Sequence, residues 1–462
     1  MSIKGRNIVV VGAGEVGCNV AQRLSAEGAN VYVVEKEIDK VNRIKSEIDA
    51  EVICGNGARP HVLAEAGVIR GGDTDILIAC TNRDEVNMLS CWIAHSAGVP
   101  RVISRTRSLE FTDTPDWGRK LGIDIMISPE RSIAREIMGL LQVSSATRAA
   151  ELLGGKAALY TMKIADGSPL DGIALKDIRA KFPALKALFV YLESPHGSGV
   201  PGGNDVLHSG DVCYVVTFRE SANLLEKLLC PNESGKSSGK IFIVGGGKLG
   251  TQIALMIKRE FGNISLRIID ADLARCKKLS EDFGEDLVLN IDGSDSRALH
   301  DEGIDGADAY ICATSSDELN MIYCAMAKTM GARRTIAVVR RKDYRDVAPE
   351  MGISAAVDAY GSLSDVILQY AKYQSNTFAY SMIDSINAEM LEVSLRKDLP
   401  VTGKTLAELN LGKGAVIALI RRGEEILLPD GATRLHEDDR VILFAVDEMM
   451  DETAELFGAE KS

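Results

Sequence analysis

Two carboxylates and two glycine-rich loops are the groups in this chain whose types and spacing could do chemistry. Gly12-Ala13-Gly14-Glu15-Val16-Gly17 and Gly245-Gly246-Gly247-Lys248-Leu249-Gly250 both read G-x-G-x-x-G. Each follows a short β-branched run, Asn7-Ile8-Val9-Val10-Val11 in the first case and Lys240-Ile241-Phe242-Ile243-Val244 in the second. Each then opens a helical segment. Glycines let the backbone approach a phosphate closely, and a helix N-terminus offers N–H groups to it. One such loop is weak evidence. Here there are two, and each is followed about 20 residues on by an acid that ends the next strand, Glu35 and Asp270. A carboxylate at that place accepts both ribose hydroxyls and repels a 2′-phosphate, which predicts NAD or an adenosine nucleotide over NADP. Lys36 either offsets part of that repulsion or is an ordinary solvated charge.

Three further features recur in both halves. Cys54 through Ala58, which holds the turn Gly55-Asn56-Gly57-Ala58 after the third strand, has its counterpart in Asn290-Ile291-Asp292-Gly293-Ser294. Such a turn either contacts the nucleoside or is a plain left-handed turn. After the fourth strand, Thr81-Asn82-Arg83-Asp84-Glu85-Val86-Asn87 returns as Thr314-Ser315-Ser316-Asp317-Glu318-Leu319-Asn320, keeping Thr-x-x-Asp-Glu-x-Asn. The bland reading makes Thr81 a helix N-cap and the acids partners of the helix dipole. The fifth strand ends at Arg105, matched by Arg340 at the end of Ala337-Val338-Val339. An arginine there reaches phosphate oxygens or forms a strand-end salt bridge.

Positioning these residues takes strands that alternate with helices, and that alternation predicts an α/β fold with a doubly wound parallel sheet in each half. After each sheet the texture changes to short strands between Gly, Pro and Asp turns, as in Leu159–Ile164, Leu188–Tyr191 and Val212–Val216. This predicts a small α+β unit behind each nucleotide-binding unit. The expected boundaries are 1–130, 143–229, 239–358 and 375–460. A polar linker, Leu229-Cys230-Pro231-Asn232-Glu233-Ser234-Gly235-Lys236-Ser237-Ser238-Gly239, joins the halves. The chain is a tandem duplication.

Composition narrows the function. At 462 residues, 46% hydrophobic and 26% charged, the chain can bury several cores. A net charge of −13 and only 5% aromatics argue against nucleic acid as a partner. Nine scattered cysteines, none spaced C-x-x-C, fit a reducing compartment rather than zinc or disulfides. The opening Met1-Ser2-Ile3-Lys4-Gly5-Arg6 does not read as a signal peptide, and no apolar stretch nears the ~18 residues that span a bilayer. The expected location is cytoplasmic.

In combination, these motifs resemble the RCK (regulator of potassium conductance) family. The second small unit follows that family's turn pattern in Gly403-Lys404-Thr405-Leu406, Pro429-Asp430-Gly431 and Leu435-His436-Glu437-Asp438-Asp439. Two such units in one chain resemble the TrkA-type regulatory subunits of Trk potassium uptake systems. The first small unit departs most, with Tyr191-Leu192-Glu193 in place of an arginine-containing strand end. The resemblance implies a cytoplasmic protein, peripheral on the inner face of the cell membrane. Its Rossmann units would bind NAD or NADH, or ATP and ADP. It would form a homo-oligomer, a tetrameric ring, on a TrkH-like potassium-translocating subunit whose pore it gates. By matching position, Gly12, Ala13, Gly14, Glu15, Val16, Gly17, Glu35, Asn56, Thr81, Asn82 and Arg105 would form site one. Gly245, Gly246, Gly247, Lys248, Leu249, Gly250, Asp270, Asp292, Thr314, Ser315 and Arg340 would form site two.

Two other classes compete. A NAD-dependent oxidoreductase needs a general acid or base beside the nicotinamide, yet the six histidines are dispersed and each appended unit is small for a substrate domain. A passive scaffold with empty loops would have no use for Glu35 and Asp270. The regulatory, non-enzymatic reading is preferred.

Overall fold

The structure, a computed structural model, describes residues 3–459 apart from 109–110, 112–115, 196, 233–238, 263, 360–366, 368–369, 371–376, 384–385 and 410. The linker segment 233–238 and the expected unit limits at 375 and 460 lie outside the described residues. Four sheets organise the rest. The first contains β1 (Asn7–Val11), β2 (Asn30–Glu35), β3 (Glu51–Cys54), β4 (Thr74–Ala79), β5 (Arg101–Arg105) and β6 (Ile125–Ile127), in the order β3-β2-β1-β4-β5-β6. All its pairings are parallel.

A five-stranded antiparallel sheet follows. Its strands are β7 (Ala146–Leu152), β8 (Ala157–Lys163), β9 (Ala187–Ser194), β10 (Gly197–Gly199) and β11 (Val212–Phe218), ordered β10-β9-β11-β8-β7. The second half repeats both sheets. Its parallel sheet has β12 (Lys240–Val244), β13 (Ser265–Ile269), β14 (Val288–Leu289), β15 (Ala309–Cys312), β16 (Thr335–Val339) and β17 (Ala355–Asp358), ordered β14-β13-β12-β15-β16-β17. Its antiparallel sheet has β18 (Thr377–Ile383), β19 (Ala388–Ser394), β20 (Ala415–Arg422), β21 (Glu425–Leu427) and β22 (Arg440–Val446), ordered β18-β19-β22-β20-β21. Renumbered from its own start, each antiparallel sheet has the same strand order. The first small unit therefore shares the topology of the second despite its divergent turns.

The apolar runs explain the layering. Along a strand, side chains alternate between faces. Ile8, Val10, Ile76, Ile78 and Ile103 meet the helix Glu15–Ala26 through Val16, Val20 and Leu24. Val9, Val11, Leu77 and Val102 meet the helix Asp84–Ala97 through Cys91 and Ala94 on the other face. Helices on both faces bury the sheet, and the strand order reverses beside β1, where a doubly wound sheet opens its ligand crevice.

The two halves also interlock. The helix Pro129–Gln142 leaves the first sheet and shares a core with the second parallel sheet: Ile133, Ile137 and Met138 join Ile253, Ala254 and Ile257 of the helix Lys248–Glu260. In return Ile367 lies in the first sheet's core, and Arg101 Nη1 donates to the carbonyl of Tyr370 at 2.8 Å. Arg334, 2% exposed at the head of β16, donates to the carbonyls of Val143 (2.6 Å) and Ala146. The two antiparallel sheets face each other through Leu159, Val190 and Val216 on one side and Met390, Leu419 and Phe444 on the other. Tyr191 and Tyr214 stack edge-on there, centroids 5.7 Å apart.

Four strands do not follow from local pattern. β7 (Ala-Thr-Arg-Ala-Ala-Glu-Leu) is rich in helix formers, and β10 is Gly-Ser-Gly. β18 and β21 are edge strands. Pairing with a neighbour decides all four, because strand propensity yields to context.

Candidate functional site

Each glycine of the loops has a separate mechanical role. Gly12 (φ +98°) and Gly245 (φ +100°) turn the chain out of the strand in a left-handed conformation. Gly17 and Gly250 let helix and loop touch: a Cβ there would lie 1.9 Å from the Gly12 carbonyl and 1.8 Å from the Gly245 carbonyl. Gly14 and Gly247 are the N-caps of their helices, and a Cβ on either would meet nothing within 4 Å. That open space lies in front of the N–H groups that begin with Glu15 and Lys248. It is the cradle a phosphate needs. Val16 is buried in the core of the first parallel sheet, and Leu249 packs, partly buried, against the separate core of the second.

The acids close the loops from behind. Glu35, 6% exposed, accepts the N–H of Ala13 at Oε2 (2.7 Å) and that of Glu37 at Oε1 (3.0 Å). Asp270, 7% exposed, does the same with Gly246 (2.8 Å) and Asp272 (2.9 Å). Asp270 has one partner more, the guanidinium of Arg275 at 2.8 Å. Burial pushes its carboxyl upward, but the Asp272 N–H, Arg275 and the Gly246 N–H outweigh it and hold the pKa below the usual 3.8. Lys40, at the matching place in site one, pairs instead with Glu37 at 3.0 Å.

The Thr-x-x-Asp-Glu-x-Asn motif works as a clamp. Asn87, fully buried, accepts the N–H (2.9 Å) and hydroxyl (2.6 Å) of Thr81 and donates to the carbonyls of Thr81 (3.1 Å) and Arg105 (2.9 Å). Asn320 binds Thr314 in the same way and donates to the Val338 carbonyl at 2.8 Å. Thr81 is therefore not a helix N-cap. Arg83 occupies the N-cap position, and Thr81 Oγ1 accepts its N–H at 3.2 Å. Asn56 is an exposed turn residue whose Oδ1 accepts the Ala58 N–H, and Asp292 binds Ser294 and the Tyr323 hydroxyl (3.1 Å). Asn82 and Ser315 stand exposed at the loop tips.

The two arginines are not equivalents. Because Asn87 reaches Arg105 and Asn320 reaches Val338, Arg105 matches Val338. The counterpart of Arg340 is Arg107: the Arg107 N–H donates to Asp84 (2.9 Å) and the Arg340 N–H to Asp317 (2.8 Å). A slip of two residues keeps side chains on the same face, so matching strand ends by residue type alone passes over it. Arg340 itself pairs with Asp317 at 3.2 Å and with the carbonyls of Thr314 and Ser315.

Site two opens into a cleft of about 590 Å³, a size suited to a nucleotide. Of the residues expected in site two, Gly245, Gly247, Lys248, Leu249, Asp270, Asp292, Thr314, Ser315 and Arg340 line this cleft, and Gly246 and Gly250 do not. Arg275, Tyr323 and Val338 also line it and were not foreseen. The opposite wall comes from the first half: Arg105, Arg107, Pro129, Glu130 and Ile133. Arg105, expected in site one, lies here in site two. Arg107 stands 3.6 Å from Glu130, and the Nε atoms of Arg105 and Arg107 and one Glu130 oxygen are buried without a hydrogen-bond partner. Arg105 and Arg107 line the wall across from the glycine-rich loop, and guanidinium groups in such a place suit a nucleotide's diphosphate. No local signal marks Arg107, because its contribution depends on a helix crossing between halves.

Comparison with known proteins agrees with this geometry. The TrkA-N domain family model matches residues 8–129 and 241–359, and the TrkA-C domain model matches 390–458. The chain is 30% identical over 455 residues to the Trk system potassium uptake protein TrkA homolog of Archaeoglobus fulgidus, covering 97% of this chain and 99% of that one. It is 29% identical over 447 residues to the Trk system potassium uptake protein TrkA of Vibrio alginolyticus, covering 95% of each. Among solved structures, the GsuK RCK domain superposes with a TM-score of 0.61 at 18% identity, over 99% of this chain and 96% of that one. The GsuK channel bound to NAD gives 0.60 at 19%, over 99% and 79%. At such identity those structures establish the shared fold. With both parallel sheets matched by one family and full-length relatives at this identity, the chain belongs to the TrkA family of Trk system potassium uptake proteins.

Proposed function

We propose that this chain is a nucleotide-sensing regulatory subunit of a membrane potassium transporter. It binds NAD, NADH, ATP or ADP at two sites, one per parallel sheet. Several copies form a ring, with four as the expected number, on the cytoplasmic face of a TrkH-like partner, and the bound nucleotide biases the ring and so gates potassium uptake. The four-unit division at 1–130, 143–229, 239–358 and 375–460 belongs to this reading. Among the described residues no helix is long and apolar enough to cross a membrane, so the pore belongs to the partner.

The observation that carries the reading is the composite cleft of site two. Its glycine-rich loop and carboxylate come from the second half, and two of its arginines, Arg105 and Arg107, come from the first. A nucleotide that bridges them favours one arrangement of the halves over others, which is what a ligand must do to shift an equilibrium. The GsuK channel, which shares the fold, has been solved bound to NAD and bound to ADP. A carboxylate pair and arginines are here assigned to binding, with no catalytic role.

Isothermal titration with NADH, NAD, ATP and ADP tests the binding, and potassium flux into vesicles carrying the membrane partner tests the gating. Two sites per chain, one lost in Gly14→Asp and the other in Gly247→Asp, are expected. Binding by none of the four nucleotides would leave only a scaffold.

A further inference from the structure

The two nucleotide sites are not copies of each other where a phosphate would lie. The first helical residue after the glycine loop is Glu15 in site one and Lys248 in site two, and both are exposed. One matched position thus reverses its charge between the sites. Lys248 lines the cleft of site two together with Gly247, whose Cβ direction is open. An ammonium there binds a phosphate as a point charge, whereas a carboxylate repels it.

The far side of the loop differs as well. In a doubly wound sheet the adenosine lies on the side of the ribose acid, and a second nucleoside lies across the point where strand order reverses. For site two that further side is the end of β15 and β16. Arg340 occupies it, held by Asp317 at 3.2 Å and by the carbonyls of Thr314 and Ser315. Arg105 and Arg107 line the same cleft from the opposite wall. Guanidiniums suit the oxygens of a phosphate, whereas a nicotinamide riboside brings them no negative charge. In site one the match of Arg340 is Arg107, and Arg107 lines site two.

We propose that site two selects an adenosine nucleotide whose phosphate chain ends free, ADP or ATP, over the dinucleotide NADH, and that Lys248 sets the preference. Site one, with Glu15 at that place, lacks it. The assignment rests on the regulatory reading above and adds which nucleotide each cleft answers to. A terminal phosphate carries about two negative charges and three acceptor oxygens, more than a phosphate that bridges two nucleosides.

The test titrates ADP and NADH, which share adenosine and two phosphates, into the full chain with one loop blocked. With Gly14→Asp only site two remains, and ADP is expected to bind it at least about tenfold tighter than NADH, roughly one charge-assisted contact. Lys248→Glu in that chain should weaken ADP at least about tenfold and NADH by less. With Gly247→Asp only site one remains, which should show no preference for ADP, and Glu15→Lys should create one. Should Lys248→Glu not fold, Lys248→Gln is read in the same titration with the same expectation. NADH binding site two as tightly as ADP would overturn the proposal. So would equal losses of both nucleotides in the Lys248 variant, or the same ADP preference in site one. Binding of neither nucleotide by the parent chain would strike the regulatory reading and this assignment with it, whereas intact binding without the ADP preference strikes the assignment alone.

Discussion

The clamp made by Asn87 and Asn320 shows how one side chain holds a site without touching a ligand. Each satisfies both amide donors and both carbonyl lone pairs on the threonine loop and the neighbouring strand. Asn87→Ala leaves buried backbone groups of Thr81 and Arg105 unpaired, so a loss of about 2–4 kcal/mol is expected in urea unfolding. Asp270 supplies the pH dependence. Its folded pKa lies below the ordinary 3.8, so its contribution to stability is complete above the unfolded value. That contribution fades as pH falls through the depressed folded value. The stability gap between wild type and Asp270→Asn should be constant from pH 7 to about pH 5 and close below about pH 4. A gap that persists at pH 2 would refute the assignment.

At the scale of elements, the same three letters of a glycine motif do unlike work. Gly14→Asp and Gly247→Asp place a carboxylate in free space in front of the helix N-termini. They should abolish nucleotide binding at one site each while the melting temperature stays nearly unchanged. Gly17→Ala and Gly250→Ala drive a methyl group into a backbone carbonyl. They should cost about 3 kcal/mol or more, since strand and helix must separate to relieve the clash. Equal destabilisation by both classes of substitution would contradict the geometry. The loops, acids and strand order were legible in the sequence because each depends on residues close together. The strands β7 and β10 were not, because a helix-forming run and a Gly-Ser-Gly turn become strands only when a neighbour offers hydrogen bonds.

At the scale of the whole molecule, the halves trade elements. The helix Pro129–Gln142 serves the second sheet's core, and Arg334 ties the head of β16 to the turn that follows that helix. Arg334→Ala removes a buried guanidinium from two carbonyls and leaves a cavity. A loss of about 3–5 kcal/mol is expected, with faster hydrogen exchange at residues 143–146. Retained protection there would mean that packing alone holds the halves together. This interlocking also brings Arg105 and Arg107 to a cleft whose other residues lie far along the chain.

Local pattern by itself determined the duplication, the parallel sheets, the glycine-rich loops and the acids behind them. Hydrophobic period and glycine placement are physical constraints that act within a few residues or one βαβ unit. It did not determine that Arg105 is the equivalent of Val338 or that Arg107 is the match of Arg340. Nor did it show that site two is finished by the first half. Those facts rest on which strand lies beside which and on where a helix crosses between cores, and the free energy that selects them is the burial of surfaces distant in sequence. Tertiary structure alone decided them.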